Sequence, residues 1–400
     1  MSIKLHQPKP AVVFVDDDRW ESFFQLAAIL RGAGIRTVRI SVSPAIWRAE
    51  NLLFDRNIFL LDAPSPEQLA RILADEHVID VQPTESLAVT AYAAVQMLPA
   101  RQRSDLWTGR SEILDKWNIA KFVRELGLRS PETLLASLVS ADEAVAKLTL
   151  PIVLKRRVGS SGSNVKVFGS IDTLREFLAT LEAPSDWFYE QFIEGRSIVC
   201  AACASDDGIH VIATYEVLKR IHLRGPSSVA EFRHDPELAK SGRTLISALH
   251  MRGLVCFDII RDSKGVDWIH DVNPRVFGGL SMCQLAGFDF RDAYLRCLGE
   301  DVNIEPSQLT FSRSTSYGFP EGRRDLLRSG SRRITWPKAI RWVYDNWKLL
   351  GSRYFFVFVI DRPTTSWRRV RDRTEQVDPS LQGNCAPTLP TRRLRGKTLT

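Results

Sequence analysis

Two short strand-like segments that carry polar groups constrain this chain more than any other feature. They are Phe257-Asp258-Ile259-Ile260 and, thirteen residues after Asp258, Asp271-Val272-Asn273-Pro274-Arg275. Both read as strands, because β-branched and aromatic residues dominate them and Asp262-Ser263-Lys264-Gly265 between them is a turn signal. Side chains alternate along a strand, so Asp271 and Asn273 share a face, with Arg275 in line beyond the proline. A hairpin partner sets Asp258 beside them. Two carboxylates and an amide oxygen make a hard, oxygen-rich site that suits Mg²⁺, above all when phosphate oxygens complete its octahedron. The neighbouring guanidinium suits a second anion, or charge developing in phosphoryl transfer. Acids at strand ends are also commonly solvated or salt-bridged, so this reading needs independent support.

That support lies upstream. Pro151-Ile152-Val153-Leu154-Lys155 is an apolar strand ending in lysine, and Gly159-Ser160-Ser161-Gly162-Ser163-Asn164-Val165 follows it. Such a loop lets backbone N–H groups approach phosphate, adds hydroxyl donors and keeps Lys155 near as a point charge. It is not a Walker A loop, because the lysine precedes the glycines and no Gly-Lys-Ser/Thr ending opens a helix. Alone, a Gly/Ser tip is a flexible turn. Together with the acidic strands about a hundred residues on, it suits two lobes that clasp ATP.

Taken in order, Asp115-Lys116, Lys155 with its loop, Tyr189-Glu190-Gln191-Phe192-Ile193-Glu194-Gly195, Asp258, and Asp271-Val272-Asn273-Pro274-Arg275 resemble the ATP-grasp superfamily over roughly residues 110 to 300. The resemblance implies that Lys116 and Lys155 contact ATP phosphates while Gly159, Ser160, Ser161, Gly162 and Ser163 close over the β and γ groups. It implies that Glu190 and the backbone of Gln191 and Ile193 read the adenine edge, and that Asp258, Asp271 and Asn273 hold Mg²⁺, or Mn²⁺ in its place. Arg275 and Lys155 would act in catalysis. The chain departs from the family pattern at Asp271, where Glu is usual, at Ser197, where a ribose-binding Glu is common, and at Arg156-Arg157, where Pro commonly follows the lysine.

The fold class implied is α/β: a Rossmann-like domain over 1–110, a small lobe over 111–188 with the phosphate loop, and a large lobe over 189–300 with the adenine hinge and metal site. A basic, Trp-rich accessory region over 301–377 and a disordered tail over 378–400 complete the expected plan. At the N-terminus, Ala11-Val12-Val13-Phe14-Val15 is a buried strand, Arg19 to Arg31 a helix and Ile35 to Val42 a second strand, one βαβ step of an open sheet. Asp16-Asp17-Asp18 stands where a dinucleotide-binding fold has glycines, and three carboxylates repel pyrophosphate, which argues against NAD or FAD. In the ligases of the superfamily a domain of this kind lines the acceptor side of the cleft. Asp16, Asp17 or Glu85, the last in Gln82-Pro83-Thr84-Glu85 at a strand's end, could therefore meet a cationic amine; helix capping explains the acidic loop equally. Arg220, Arg224 and Ser228, in the basic Gly/Ser-containing segment after the hinge, are candidates to bind a substrate carboxylate.

Composition bounds the rest. Four hundred residues, 44% hydrophobic, allow two or three packed domains. No apolar run reaches the ~18 residues of a membrane span, there is no signal-peptide core, and six scattered cysteines read as reduced thiols of a cytoplasmic protein. Cys200 and Cys203 lie on a predicted strand that sends their sulfurs to opposite faces, against a zinc or redox pair. The charge of +7 belongs to the C-terminal part, where 19 Lys+Arg face 9 Asp+Glu beyond residue 300, against 35 and 38 before it. Trp336, Trp342, Trp347 and Trp367 stand there among Arg332, Arg333, Lys338, Arg341, Lys348, Arg368 and Arg369. Indoles and cations together suit an anionic membrane surface or a protein partner; the competing reading packs the indoles on the core and leaves the cations solvated. No nucleic-acid partner is expected, and a homodimer is compatible with the family.

The chemistry that such a site supports is activation of a carboxylate by the γ-phosphoryl group of ATP, followed by attack of an amine on the acyl-phosphate. No enzyme nucleophile is needed, and no Ser-His-Asp or Cys-His triad stands out. A bicarbonate-using ligase that forms carboxyphosphate and a non-catalytic ATP-binding scaffold remain the alternatives.

Overall fold

The structure, a computed structural model, describes residues 9–17, 20–42, 49–99, 114–159, 164–220, 227–302, 313–317, 336–355 and 357, all within one unit, Met1–Arg362. What the sequence leads one to expect at 160–163, Arg224, Asp18 and the basic stretches outside these ranges lies beyond the described residues.

The N-terminal part holds β1 (Ala11–Asp16), α1 (Glu21–Gly32), β2 (Arg36–Ser41), β3 (Arg56–Phe59), α2 (Pro66–Ala74), β4 (Val78–Pro83) and α3 (Glu85–Met97). The strands form a parallel sheet in the order β3-β2-β1-β4. Every residue of β1 is buried, because helices cover both faces: Ala11, Val13 and Val15 face α2 and α3, while Val12 and Phe14 face α1. The expected βαβ step is therefore present.

A second, antiparallel sheet, ordered β5-β8-β6-β7, follows α4 (Lys116–Glu125). It is built from β5 (Thr133–Leu135), α5 (Ala141–Leu148), β6 (Ile152–Arg156), β7 (Val165–Phe168), α6 (Ile171–Leu178) and β8 (Trp187–Gln191). Alternate residues Ile152 and Leu154 of β6 meet Ala144, Leu148 and Leu174 of the two helices. The expected lobe boundary at 188/189 falls inside β8, which pairs with β6 as far as Gln191; the chain crosses to the next sheet at 192–194.

That sheet is ordered β13-β12-β9-β10-β11-β14. It comprises β9 (Gly195–Ser205), β10 (Gly208–Arg220), β11 (Ser227–Arg233), α7 (Pro236–Ala248), β12 (Gly253–Asp262), β13 (Asp267–Asn273), α8 (Leu280–Leu285), α9 (Phe290–Cys297) and β14 (Arg313–Tyr317). Alternation along β9 sorts its side chains: Ile198, Cys200, Ala202 and Ala204 face α7, while Val199, Ala201 and Cys203 face α8 and α9. Cys200 and Cys203 thus sit in different cores, as strand alternation requires. Gly242 lets α7 come close, since a Cβ there would lie 2.8 Å from Cys200 Sγ.

The core on the α8/α9 face also contains Val12, Phe14, Phe23 and Leu30 of the N-terminal part. It further contains Leu350 and Tyr354 of a last helix, α10 (Trp336–Phe355), which is broken at Gly351, φ 78°. The described part of the expected accessory region is therefore an added strand, β14, and a helix docked on α1, with Tyr354 Oη donating to Glu21 Oε1 at 2.9 Å. Its indoles divide: Trp342 packs on the core and Trp347 is 46% exposed. The shared core fixes the N-terminal sheet against the acid-bearing strands.

Candidate functional site

The hairpin β12–β13 pairs Asp258 with Asp271 in register. Its turn is closed by Asp262, whose Oδ1 accepts from Lys264 N and Val266 N at 2.9 Å each. Asp258 falls on the face of Leu254 and Cys256, away from α7. Asn273 Nδ2 donates to Asp258 Oδ2 at 3.0 Å, and Asn273 Oδ1 accepts from Arg275 Nη2 at 3.0 Å. Burial and then the negative charge of Asp271 push the Asp258 carboxyl up, against Arg220, Lys116 and Arg275. Burial pushes Asp271 up as well, but the Lys116 and Lys155 ammoniums outweigh it and hold that carboxyl below its ordinary value.

Lys116 opens α4. Asp115 caps the helix, its Oδ1 accepting from Trp117 N at 3.0 Å and Asn118 N at 3.3 Å. The same carboxylate accepts from Arg157 Nε at 2.9 Å, while Lys116 N donates to Arg157 O at 2.8 Å. Arg157, which stands near the position of the usual proline, thereby ties the helix start to the end of β6. Lys116 Nζ meets Asp271 Oδ1 at 2.7 Å, Asp271 Oδ2 at 2.8 Å and Glu85 Oε1 at 2.7 Å. Burial favours the neutral amine, but Asp271 and Glu85 outweigh it and hold Lys116 above the ordinary lysine value.

Lys155 lies on β6 and is 5% exposed. Its Nζ is 2.6 Å from Glu190 Oε1, 3.4 Å from His270 Nδ1 and 3.3 Å from His270 O. His270, one residue from Asp271, is a member of this group that the sequence did not assign. Burial pushes its imidazole down to about 3 with help from Lys155, so the ring is neutral. Burial raises the Glu190 carboxyl while Lys155 opposes it. Gln191 N–H is committed to Glu132 O at 2.9 Å, so of the two hinge backbones expected to read adenine this donor is already used.

The N-terminal part supplies one wall. Glu85, at the start of α3, is 7% exposed, and its Oε2 accepts from Arg275 Nη2 at 3.0 Å. One carboxylate thus joins Lys116 and Arg275. A crevice beside it is lined by Pro83, Ala88, Leu114, Asn273, Pro274 and Arg275. A second lies between Lys116, Ile119, His270 and Asp271. Arg275 Nε is buried with no hydrogen-bond partner among the described residues, and the guanidinium carbon sits 4.1 Å from the ring centroid of Trp20.

The other expected residues are placed as follows. Asp16 cannot face an incoming amine: it is fully buried, pairs with Arg39 Nε at 2.7 Å and accepts from Ser41 Oγ at 2.6 Å. Asp17 accepts from Thr84 Oγ1 at 2.7 Å. Neither caps α1, whose N-cap Trp20 has no side-chain cap. Arg220, expected on a substrate carboxylate, donates to Ser197 Oγ at 2.6 Å, the residue expected at the ribose. Ser228 is buried on β11 at 3% exposure. Gly159 is described at the start of the phosphate loop, Ile193 at the crossing between the sheets.

Among the described residues, no three His, Cys, Asp or Glu side chains converge as a metal cluster. The set that fits a hard cation is two carboxylates and one amide. The fit rests on Asp258 and Asp271 paired across the hairpin, where the charge of Asp271 raises Asp258 and a divalent ion would offset it, and on Lys116 already serving Asp271 as counter-ion. For Asn273 to offer its oxygen beside Asp258, its amide must turn over and leave Arg275.

Residues 113–279 match the ATP-grasp domain family. A search of curated proteins found no match. Among solved structures, N5-carboxyaminoimidazole ribonucleotide synthetase in its ADP complex is 15% identical, with 76% of this chain and 80% of that chain covered and a TM-score of 0.60. The biotin carboxylase domain dimer of Hydrogenobacter thermophilus 2-oxoglutarate carboxylase, with MgADP, ADP and bicarbonate, is 14% identical over 78% of this chain and 74% of that chain, TM-score 0.61. The L-amino acid ligase of Bacillus licheniformis is 15% identical over 78% and 80%, TM-score 0.56. At these identities the likeness is one of fold.

Proposed function

We propose that this chain, whose residues 113–279 match the ATP-grasp domain family, is an ATP-dependent ligase which activates a carboxylate as an acyl-phosphate and couples it to an amine, releasing ADP and phosphate. The observation that carries this reading is the convergence of Lys116, Lys155 and Arg275 with Asp258, Asp271 and Asn273 beside a crevice walled by Glu85.

Each cation has a use in that chemistry. Lys116 and Lys155, with the loop after Gly159, would bind the triphosphate and offset its repulsion of a carboxylate nucleophile. Asp258, Asp271 and Asn273 would hold Mg²⁺ or Mn²⁺, which when bound adds positive charge at the phosphate oxygens. The substrate carboxylate attacks the γ-phosphorus, and the bond to the ADP oxygen breaks as the new P–O bond forms. Arg275 holds the oxygens of the transferred group. The acceptor, held as an ammonium beside Glu85, gives one proton to that carboxylate and attacks the acyl carbon as the neutral amine; its second proton goes to the departing phosphate, which leaves with the electron pair of the broken C–O bond. Glu190, released by Lys155, meets the adenine edge. Five free cysteines among the described residues support a reducing, cytoplasmic setting, and no helix there is long and apolar enough to cross a membrane. Exposed Tyr344 and Trp347 beside Arg341 and Lys348 support a partner surface on α10.

The test is Mg²⁺-dependent ADP release from ATP across small carboxylic acids and amino acids, each with and without an amine and with and without bicarbonate, using Asp271→Ala as the blank. Turnover that requires an organic acid and an amine supports the reading. Turnover on bicarbonate alone replaces it with carboxyphosphate formation, and ATP binding without turnover on any acid replaces it with a nucleotide-binding scaffold.

A further inference from the structure

The guanidinium of Arg275 is held in its own plane by hydrogen bonds at one edge. Nη2 donates to Glu85 Oε2 and to Asn273 Oδ1, both at 3.0 Å, and Nη1 donates to Val276 O at 3.2 Å. Such bonds leave one freedom, tilt out of the plane, because among the described residues Nε has no hydrogen-bond partner that would hold the opposite edge. The flat face is covered by the indole of Trp20 at 4.1 Å, well within the ~6 Å reach of a cation–π contact.

We infer that Trp20 is a positioning residue for Arg275 in phosphoryl transfer, so that the N-terminal domain shapes the reacting end of the site as well as its acceptor wall. The inference rests on the ligase reading above. Trp20 is suited to the task because it is itself fixed. It is the N-cap residue of α1, packs on the central core, and lies 6.4 Å from the ring of Phe23, which meets Phe14 edge-on at 5.4 Å. The backbone following Arg275 is braced from the same sheet, where Gln82 Oε1 accepts from Val276 N at 3.1 Å. Gln82 is in turn held by Asp80 Oδ2 at 2.7 Å and Tyr294 Oη at 3.2 Å. Arg275 therefore belongs to the chain after β13, but its orientation is set by residues of β4, α3 and the start of α1.

The experiment compares Trp20→Phe and Trp20→Leu with the wild type, and repeats Trp20→Leu in an Arg275→Lys background. If the aromatic face matters, Trp20→Phe keeps kcat within about fivefold, while Trp20→Leu lowers kcat ~10- to 100-fold, the scale of a misplaced catalytic group, with KM for ATP within about twofold. In the Arg275→Lys background, where no planar cation remains to be stacked, Trp20→Leu adds less than about threefold. As a readout separate from turnover, the ¹⁵Nε–H resonance of Arg275 loses its ring-current shift in Trp20→Leu at unchanged Tm. Equal kcat for the Phe and Leu variants, or full additivity with Arg275→Lys, overturns the inference while wild-type turnover leaves the ligase reading intact. A wild type silent on every acid overturns that reading, and the role of Trp20 with it.

Discussion

Lys116 and Asp271 are joined by two contacts of 2.7 and 2.8 Å from one ammonium to both oxygens of one carboxylate, across 155 residues of sequence. The ammonium thus occupies the carboxylate that the proposed metal needs. Metal entry and release of Lys116 toward phosphate must then be one exchange. Mg²⁺ alone is expected to leave Tm nearly unchanged, whereas Mg²⁺ with ATP raises it. In Lys116→Met, Mg²⁺ alone raises Tm while ATP turnover falls ~10²- to 10³-fold, the scale of one lost transition-state charge partner. Thermal melts with each ligand separately and together decide this, and a metal response equal in both proteins refutes the exchange.

Glu85 serves two cations, Lys116 at 2.7 Å and Arg275 at 3.0 Å, with side chains of all three at most 11% exposed. Removing a shared buried counter-ion leaves charge uncompensated, a loss of ~3–5 kcal/mol for such pairs. Glu85→Ala is therefore expected to melt lower than wild type and to regain more of that loss on adding ATP, whose phosphates replace the missing carboxylate. A smaller ATP-induced shift in Glu85→Ala than in wild type counts against this placement of the phosphates.

Asp80 predicts a dependence on pH. Burial pushes its carboxyl up to about 6, against hydrogen bonds from Tyr294 and Gln82, and its Oδ1 has no hydrogen-bond partner among the described residues. Because the folded pKa lies above the unfolded 3.8, the folded chain keeps a proton in the window between them that the unfolded chain has lost. Stability from this group is thus present below pH 3.8 and is lost as pH rises through about 6, by roughly 3 kcal/mol in total. Asp80→Asn removes the ionisation. Urea unfolding should show the stability of the variant relative to wild type growing between pH 4 and pH 7.5, and a constant difference would disprove the assignment.

The parts of the site that were legible in the sequence are those fixed by local pattern. Strand alternation and the Asp262–Gly265 turn place Asp258 against Asp271, and the apolar run before Lys155 delivers that lysine from a strand. What the sequence did not show depends on packing between distant segments. Trp20 lies 255 residues from Arg275, and Gln82 lies 194 from Val276, so no periodicity links them. Asp16 was misread because an acid at the end of a strand looks the same whether it faces a cleft or a buried arginine. The arginine that claims it, Arg39, sits on the neighbouring parallel strand. His270 alternates with Asp271 along β13, so nothing in the strand's own pattern assigns it to the site; Lys155 arrives from the other sheet and meets its ring.

Gly195 gives the last prediction, at the point where the chain leaves β8 for β9. It pairs with Asp262 across β9–β12, and a Cβ built on it would lie 2.3 Å from Arg261 O and 2.7 Å from Ile260 Cγ2. The first of these is backbone, which cannot swing aside as a flexible side chain could. Alanine there must push β9 from β12 at the end of the sheet next to the hinge residues Glu190 and Ile193. Overpacking of this kind costs ~1–3 kcal/mol, so Gly195→Ala is expected to lower the urea midpoint accordingly. Because the displacement falls beside the proposed adenine edge and far along β12 from Asp258, KM for ATP should rise several-fold more than kcat falls. A Gly195→Ala protein with wild-type stability would mean that the strands approach less closely here, and one with a purely kcat effect would move the adenine edge away from this crossing.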